Sequence, residues 1–334
     1  MNYFTLLTIL FLSVICCSLI ITNFLCGYLS GLGVVDAPDN RRAHQRITPR
    51  GGGLGLVLIY ITFLPLFEYY YNNTLLYSGQ VLEIFIPIAL ISFLDDISHI
   101  MVPLRLLVHL ICGSLAVMWM IHPFSLFHQE LPIYLDLIIA TLGLVIFLNI
   151  YNFLDGIDGI TVSESIHLSI TILLLCFLKI DLIPNVGFII VTSVIILGWA
   201  VGFIFFNWQP AKIFPGDIGT ISLGFLQGLC LLLIATAGER LFAASVIAAL
   251  YYIADGGLTI MIRLINGEKI WQPHLKHFFQ KAVKNGMSHA EVVKKIIGCN
   301  FALMWLAVGA LYYPIISIIL AIMVVMVTLI RLAK

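Results

Sequence analysis

Amide and carboxylate side chains recur at short, regular spacing in one segment of an otherwise apolar chain. Asn149, Asn152, Asp155 and Asp158 follow one another every three residues, with glycines after both aspartates. On a straight α-helix, each step of three residues turns a side chain by about 300°, so the first and last members would point in opposite directions. We therefore predict that a helix ends here and that these side chains line a polar cavity. The alternative is a simple polar turn.

Further carboxylates stand at two other places where an apolar stretch gives way to a polar one. These are the adjacent Asp95 and Asp96, and Asp217 at the end of a Phe-Pro-Gly-Asp segment. A carboxylate at membrane depth is costly, so such residues usually pair, bind an ion or line a polar cavity. A solvated helix end would explain Asp95 and Asp96 by themselves. Several acidic clusters on one face favour a magnesium site instead, because carboxylate and amide oxygens are preferred Mg²⁺ ligands.

Two basic segments add groups that suit an anionic ligand. Arg50 comes just before three glycines and follows Arg42 and Arg46, which we include with it as phosphate-binding candidates. Guanidinium groups and exposed backbone N–H groups both bind phosphate. Arginines beside a membrane span can equally serve only to orient the span. His274 and His277 stand three residues apart near Lys276; we favour a pair that donates hydrogen bonds to phosphate over a zinc site, which would need a further protein ligand.

The elements that position these groups must be membrane helices. The chain of 334 residues is 61% hydrophobic and 10% charged, whereas soluble domains hold about 25% charged residues. The sequence therefore predicts an all-α polytopic membrane protein, in contact with the lipid bilayer along its length, and it has no basic run that would indicate a nucleic-acid partner. We predict eleven spans, or ten if the break at Tyr312–Pro314 is not a turn: 4–25, 54–71, 80–97, 104–121, 132–151, 160–178, 184–205, 218–236, 242–263, 296–312 and 314–331.

Alternate ends of these spans carry all the polar segments. A hairpin topology places loops 26–53, 95–104, 149–160, 206–218 and 264–295 on one face of a single domain, 1–334. Of the 17 lysines and arginines, all but Lys179 and Arg240 fall on this face or in the C-terminal tail. Because cytoplasmic loops concentrate Lys and Arg, we predict a cytoplasm-facing active-site cleft, with the N-terminus outside and the C-terminus inside.

The motifs together resemble one protein family closely. The chain resembles the bacterial polyprenyl-phosphate sugar-1-phosphate transferases, glycosyltransferase family 4, from Asp36 to about Gln280. The matching segments are Asp36-x-Pro38, Pro49-Arg-Gly-Gly-Gly53, Phe93-Leu-Asp-Asp96 followed by Arg105, Asn149-x-x-Asn-x-x-Asp-Gly-x-Asp-Gly159 and Phe214-Pro-Gly-Asp217. The first arginine-glycine segment and His274-x-x-His277-x-x-Gln280 resemble the subgroup that initiates O-antigen chains with N-acetylfucosamine or N-acetylquinovosamine.

The resemblance implies a catalytic and metal-binding set. Asn152 and Asp217 correspond to the ligands of Mg²⁺, for which Mn²⁺ is the alternative. Asp95 and Asp96 correspond to the pair beside the prenyl phosphate. The other two catalytic candidates are implied in the same way, one near the nucleotide and one near a phosphate: Asp155 and Arg105.

The resemblance also implies a substrate-binding set. Arg50, His274 and His277 correspond to contacts with the diphosphate and the sugar. Asn207 and Asp158 correspond to positions that contact uracil. Two further members complete the set, an aromatic that stacks on uracil and the first asparagine of the repeated motif: Phe214 and Asn149.

The implied reaction is transfer of a sugar-1-phosphate from a UDP-N-acetylhexosamine to undecaprenyl phosphate, with release of UMP. The resemblance places such an enzyme in the bacterial inner membrane, at the first membrane step of O-antigen or other cell-envelope glycan synthesis, and allows a homodimer. A GlcNAc-1-phosphate transferase for another envelope polymer is the alternative. A lipid or solute transporter would carry polar residues near mid-span with repeat symmetry, and a structural membrane protein would need no converging polar clusters.

Overall fold

Helices make up nearly all of the structure, a computed structural model that describes residues 2–36, 47–72, 75–98, 100–122, 124–127, 130–269 and 274–334. The helices in these ranges, in chain order, are α1 Tyr3–Gly31, α2 Leu54–Asn72, α3 Leu76–Ser98, α4 Val102–Ala116, α5 Ile133–Phe153, α6 Ile160–Leu178, α7 Val186–Asn207, α8 Gly216–Ala235, α9 Glu239–Ala248, α10 Leu250–Ile265, α11 Phe278–Lys284, α12 His289–Ala310 and α13 Pro314–Ala333. A π-helical turn, Val117–Ile121, extends α4.

Every predicted span falls on a helix of the described ranges. Nine of these helices are long and apolar enough to cross a membrane: α1, α2, α4 with its π-helical turn, α5, α6, α7, α8, α12 and α13. Helices α9 and α10 meet at a bend of 69° and would together form a further span. The predicted span 80–97 coincides with α3. The all-α polytopic fold is thus confirmed, while the exact number of crossings stays a prediction.

Helix α8 lies at the centre of the bundle and packs against α3 and α5. Its membrane-length window is 94% buried, compared with 22% for α1 and 28% for α13. Two glycines allow the close approach of α5. A Cβ on Gly224 would lie 2.8 Å from the Cα of Leu148, and a Cβ on Gly228 would lie 2.8 Å from the side chain of Leu144. This contact fixes the end of α5 beside the start of α8.

A short β-hairpin is the one regular element besides helix that the described residues show in the predicted loop 26–53. Strand β1, Val35–Asp36, pairs antiparallel with β2, Thr48–Pro49. Residue Arg50 continues the second strand and forms a parallel bridge to Phe214. The hairpin therefore joins the arginine-glycine segment to the segment that precedes α8. Arg42 and Arg46, which the sequence offered as phosphate-binding groups, lie outside the described residues.

Candidate active site

A polar cleft of about 230 Å³ opens at one end of the helical bundle. Four of the five predicted loops contribute to its walls. The lining residues are Asp36, Arg50, Asn152, Asp155, Gly156, Ile157, Asp158, Phe214, Gly216, Asp217, Leu275, Gln280 and His289. The predicted convergence of distant polar segments is therefore present in the structure.

Asp217 lies where two arginine side chains meet. Its Oδ2 atom is 3.1 Å from Nη1 of Arg105, which also pairs with Asp95. Its Oδ1 atom is 3.7 Å from Nη2 of Arg50, which also pairs with Asp96. The fifth predicted loop thus reaches the site through these ion pairs rather than by lining the cleft. Three aspartates and two arginines form one charged cluster, which we call the carboxylate–arginine cluster.

Asp96 holds the N-terminus of α8 in place. Its Oδ1 atom accepts a hydrogen bond from the backbone N–H of Asp217 at 2.9 Å, and Oδ2 accepts one from Ile218 at 3.0 Å. The first N–H groups of a helix have no partner within the helix, so a carboxylate is favourable there. The Asp96 side chain is fully buried. It therefore positions Asp217 and Arg50, and its predicted role beside a lipid phosphate stays a prediction.

The two asparagines of the repeated motif have different surroundings. Asn152 donates through Nδ2 to Oδ1 of Asp217 at 3.1 Å and to the hydroxyl of Thr220 at 2.7 Å. Asn149 donates to the carbonyl of Val145 at 2.7 Å, one turn earlier in α5. Asn149 lies behind the cleft, in a small enclosed space that Arg105 and Asn152 also line. Of these two, only Asn152 faces the open cleft.

The predicted break in the helix is present. Helix α5 ends at Phe153 and α6 begins at Ile160, and Gly159 between them has a φ of 81°, which favours glycine. The break leaves Asp155 on the cleft wall. Burial, followed by the negative charges of Asp217 and Asp96, raises the pKa of the Asp155 carboxyl to about 7. Near neutral pH this carboxyl is therefore part protonated.

Two residues predicted to contact uracil instead join the loops of the cleft to one another. Asn207 accepts from the N–H of Gly159 at 3.1 Å and donates to the carbonyl of Ile213 at 2.9 Å. Asn207 is buried and does not line the cleft. Asp158 lines the cleft, but its Oδ2 accepts from the N–H of Ala211 at 3.0 Å. Because Asn207 is buried away from the cleft lining, a uracil contact by its side chain would require the surrounding loops to move, and this role stays a prediction.

The predicted histidine pair lies behind the cleft wall. His277 is buried, and its Nδ1 is 3.2 Å from Oδ1 of Asp255, a residue of α10. The ring of His274 lies 4.9 Å from that of His277, and burial lowers the pKa of His274 to about 4, so it is neutral near pH 7. Neither lines the cleft; Leu275 and Gln280 of the same segment do. The sequence thus identified the correct loop, but other residues of the loop face the cavity.

His289 and Asp36 are cleft residues that the sequence prediction did not include among its site residues. His289, at the start of α12, has Nδ1 at 3.2 Å from Oδ1 of Asp158 and accepts from the backbone N–H of Asp158 at 3.2 Å. Gln209 reinforces this contact by accepting from the N–H of Ala290 at 2.7 Å. A Ser-His pair at a helix start looks like a cap in sequence, so only the packing of α12 shows that His289 reaches the cleft.

The glycines after Arg50 allow this segment to pack closely against the segment that precedes α8. The N–H of Gly52 donates to the carbonyl of Phe214 at 2.9 Å, and the N–H of Gly53 donates to that of Pro215 at 2.8 Å. A Cβ on Gly53 would lie 2.1 Å from the Cα of Gly219. The sequence suggested that these N–H groups bind an anion; two of them are occupied by carbonyls instead. The Arg50 guanidinium and the Phe214 side chain remain at the cleft wall.

The oxygen-bearing side chains of the cleft suit a hard cation that takes its remaining ligands from water and substrate phosphate. Among the described residues, no group of three or more His, Cys, Asp or Glu side chains converges closely enough to hold a metal ion. Asp217 and Asn152 do supply neighbouring oxygen-bearing groups. Asp95, Asp96 and Asp217 outnumber the two arginines that pair with them, so a cation would reduce the excess of negative charge. Mg²⁺ commonly binds through one or two protein oxygens plus water and phosphate oxygens, and these residues fit that pattern.

The fold and cleft define a polytopic helical membrane protein with a polar, charged cavity at one end of its bundle. Residues 79–235 of the chain match the model of glycosyl transferase family 4. The chain is 28% identical over 295 residues to the probable undecaprenyl-phosphate N-acetylglucosaminyl 1-phosphate transferase of Bacillus subtilis (strain 168), covering 85% of this chain and 80% of that protein. The similarity to this family model is confined to residues 79–235, while the similarity to the Bacillus protein extends over most of the chain.

Two further relatives are named phospho-N-acetylmuramoyl-pentapeptide-transferase. The protein from Borrelia hermsii (strain HS1 / DAH) is 26% identical over 306 residues, which cover 81% of this chain and 84% of the relative. The protein from Brachyspira hyodysenteriae (strain ATCC 49526 / WA1) is 31% identical over 198 residues, which cover 52% of this chain and 49% of the relative. The matched residues 79–235 include Asn152 and Asp217, which line the cleft, and Asp95, which pairs with Arg105.

Proposed function

We propose that this chain is a phospho-sugar transferase that moves a sugar-1-phosphate from a UDP-N-acetylhexosamine to undecaprenyl phosphate. The observation that carries the proposal is the meeting of Asn152, Asp217 and Arg50 at one cleft of a membrane bundle, with Arg105 paired to Asp217 behind the cleft wall. The similarity to relatives named for such transfers supports the lipid acceptor and the sugar-phosphate donor.

In the proposed reaction, an oxygen of the lipid phosphate attacks the β-phosphorus of the UDP-sugar. A new P–O bond forms to the lipid phosphate, the bond between the β-phosphorus and the bridging oxygen breaks, and UMP leaves with that oxygen. Both reactants are anions, so their repulsion must be reduced first. Arg50 and Arg105 supply two guanidinium groups beside the cleft for this purpose.

The carboxylates around these arginines have positioning roles in this proposal. Asp95 accepts the backbone N–H of Ile100 at 2.6 Å and pairs with Arg105, and Asp96 pairs with Arg50. Each aspartate therefore fixes the direction of one guanidinium. A phosphate monoester is mostly ionised near pH 7, with a second pKa of about 6, so a strong base is not essential. A two-step route through a phospho-aspartate is the alternative.

We further propose that Asn152 and Asp217 hold Mg²⁺, with Mn²⁺ as a substitute. Bound there, the ion would neutralise charge on the diphosphate oxygens. Asp217 projects from the first turn of α8, whose N-terminus Asp96 anchors, and Asn152 comes from the last turn of α5. The tight packing of these two helices fixes the distance between the two ligands. The other residues assigned by resemblance, Phe214 and Asp158 at the uracil and Asp155 near the nucleotide, line the same cleft.

Activity of the purified full chain in detergent tests the proposal. We expect UMP release from a UDP-N-acetylhexosamine only when undecaprenyl phosphate and Mg²⁺ are both present, with one lipid–diphospho–sugar formed for each UMP. A transporter would move substrate across vesicles without releasing UMP. UMP release that does not depend on the lipid would contradict the transfer reaction.

For the donor, we propose an N-acetylated 6-deoxy hexosamine, such as UDP-N-acetylfucosamine or UDP-N-acetylquinovosamine. The loop 264–295 presents Leu275 and Gln280 to the cleft, and Phe279 packs behind them against Gly156. An apolar side chain beside the sugar suits a methyl group, while it rejects an added hydroxyl only by about 10²-fold. The name of the Bacillus relative makes UDP-GlcNAc the rival donor.

A donor panel distinguishes these two readings. We expect kcat/KM for a UDP-6-deoxy-N-acetylhexosamine to exceed that for UDP-GlcNAc, with some GlcNAc transfer remaining. Kinetics in which UDP-GlcNAc is the best donor would contradict the 6-deoxy proposal and leave the transfer reaction intact. The product would then feed another envelope polymer rather than O-antigen. In either case we place the enzyme in the bacterial inner membrane with the cleft facing the cytoplasm; a homodimer stays a prediction.

A further inference from the structure

A second cavity lies between the last two helices, away from the polar cleft. Helices α12 and α13 form an antiparallel hairpin that turns before Pro314. A groove of about 520 Å³ runs between them. Its walls are mostly apolar, with Met323 and Val327 among the lining residues, and two cations lie at the same end of the hairpin, Lys295 and Arg331.

The charged end of this groove lies on the cleft side of the bundle. The start of α12 reaches the cleft, because Nδ1 of His289 is 3.2 Å from Oδ1 of Asp158. The end of α13 lies beside the short helix α11, where Nδ2 of Asn285 donates to the carbonyl of Ala333 at 3.4 Å. The groove therefore has its cations at one membrane surface, and its apolar walls extend from there toward the middle of the hairpin.

The surrounding charge is strongly positive. Between Phe278 and Lys334 the sequence has one acidic residue, Glu291. The same stretch has six cations: Lys281, Lys284, Lys294, Lys295, Arg331 and Lys334. The groove thus lies in a region of net positive charge, and of these six cations only Lys295 and Arg331 line it.

A glycine leaves space in the wall of the groove. A Cβ built on Gly298 would meet no atom within 4 Å, so helix packing does not require a glycine at this position. Cys299 and Thr328 line the groove next to it. The open space beside Gly298 is of the kind that an acyl chain can occupy, since apolar side chains border it and no protein atom fills it.

We propose that this groove binds an anionic phospholipid from the leaflet on the cleft side. The headgroup phosphate lies between Lys295 and Arg331, and an acyl chain runs past Gly298 along Val327 and Met323. Basic pockets between membrane helices favour anionic headgroups, and long cationic side chains reach the headgroup region readily. A second copy of this chain is a poorer occupant, because covering the groove with an apolar face would bury both cations without a partner. This proposal does not depend on the transfer reaction.

Native mass spectrometry of the full chain in detergent tests the site. Palmitoyl-oleoyl phosphatidylglycerol is titrated against palmitoyl-oleoyl phosphatidylcholine, and we expect one tightly retained phosphatidylglycerol. The double substitution Lys295→Gln and Arg331→Gln is expected to weaken that binding by about 30-fold. Each cation near a membrane surface raises the affinity for an anionic lipid by about fivefold, and the two effects multiply. Gly298→Leu fills the groove without changing charge and should weaken binding of phosphatidylglycerol as well.

Two matched substitutions serve as controls. Lys294→Gln removes a neighbouring cation that does not line the groove, and Gly143→Leu adds the same side chain at an exposed glycine of α5 with open space around it. Both should leave lipid retention unchanged. Equal retention of the two lipids by the unmodified chain would overturn the proposal. So would a loss in the controls equal to that in the groove variants, or a shift from dimer to monomer in the groove variants. Should Gly298→Leu not fold, the comparison of the Lys295→Gln and Arg331→Gln double variant with Lys294→Gln decides between the outcomes.

Discussion

At the scale of single residues, Asp217 is the group on which the proposed chemistry most depends. It contacts Asn152, Arg50 and Arg105, which come from three other segments of the chain. Its side chain is 23% exposed, so it can reach a ligand in the cleft. The neighbouring Asp96 is fully buried and cannot do so without rearrangement. Both aspartates stand where an apolar stretch of the sequence gives way to a polar one, but only the Asp217 side chain is exposed enough to contact a ligand.

We expect Asp217→Asn to lower transfer by more than the roughly 10–100-fold that loss of an outer partner of a metal ligand costs. The change removes a carboxylate ligand while keeping the shape of the side chain, so the dependence of the rate on Mg²⁺ should also weaken. Initial rates across a Mg²⁺ titration measure both effects. Asp181→Asn, an exposed aspartate in the loop between α6 and α7, is the control. A variant with near-normal activity and an unchanged titration would remove Asp217 from the metal site.

Asp155 gives a prediction about pH. Its pKa of about 7 in the folded protein lies above the ordinary value of 3.8. The folded state therefore holds this proton more tightly than the unfolded state, and stability falls as pH rises from about 4 to about 7, then levels off. We expect the Tm of the metal-free protein to fall over that range, and Asp155→Asn to reduce the fall. A Tm profile identical in both proteins would show that Asp155 does not titrate in this way.

At the scale of elements, buried carboxylates fix helix starts from neighbouring helices. Asp96 of α3 holds the first turn of α8. Asp255 of α10 accepts from the backbone N–H groups of Phe278 and Phe279 and thereby holds the start of α11. Helices α8 and α11, which carry the cleft residues Asp217 and Gln280, are thus oriented by carboxylates that do not line the cleft. This arrangement gives a structural role to two of the buried acidic residues, Asp96 and Asp255.

We expect Asp96→Ala to destabilise the protein and to lower activity together. Removing one member of a buried ion pair costs about 3–5 kcal/mol, and it leaves the Arg50 guanidinium and the start of α8 without their partner. Asp136→Ala is the matched control: Asp136 is also buried, and it accepts the backbone N–H groups of Leu126 and Phe127 outside the cleft. Its loss should lower Tm with little effect on KM. Equal effects of both substitutions on KM would indicate that Asp96 has no particular role in the site.

At the scale of the whole molecule, the two ends of the chain lie at opposite ends of the bundle. The ring of Tyr3 lies 4.8 Å from that of Tyr71, near the end of α2, which begins at the cleft side with Leu54. The carbonyl of Ala333 accepts from Asn285, which directly follows α11, the helix whose Gln280 lines the cleft. An odd number of crossings separates two such ends. The predicted eleven spans would meet this condition if α3 and the bent pair α9–α10 each crossed once, and the exact number stays a prediction.

We expect reporter fusions to place the N-terminus outside and the C-terminus inside the cell. A fluorescent protein that folds only in the cytoplasm should be bright at the C-terminus, and a periplasmic phosphatase should be active only at the N-terminus. Reporters that place both ends on one side would contradict an odd number of spans. Reporters that place the ends in the reverse order would put the cleft on the outer face, where cytoplasmic UDP-sugars could not reach it.

The sequence by itself determined the helical membrane fold, the positions of the spans and the loops that meet at the cleft. The length of an apolar stretch and the distribution of charge along the chain are local properties, so they can be read directly from the sequence. Asn152, Asp217 and Arg50 were found in the same way, because polar side chains at span ends stand out against an apolar background.

Only the tertiary structure decided which side chains of those loops face the cavity. His277 and Asn207 lie within the predicted loops, but their side chains do not face the cavity. The His277 side chain contacts Asp255, and the Asn207 side chain forms hydrogen bonds with the backbone of Gly159 and Ile213. His289 faces the cleft although its sequence surroundings indicate only a helix start. The direction of a side chain depends on partners far away in the chain and on the close packing that glycines permit. Spacing along one segment does not contain that information.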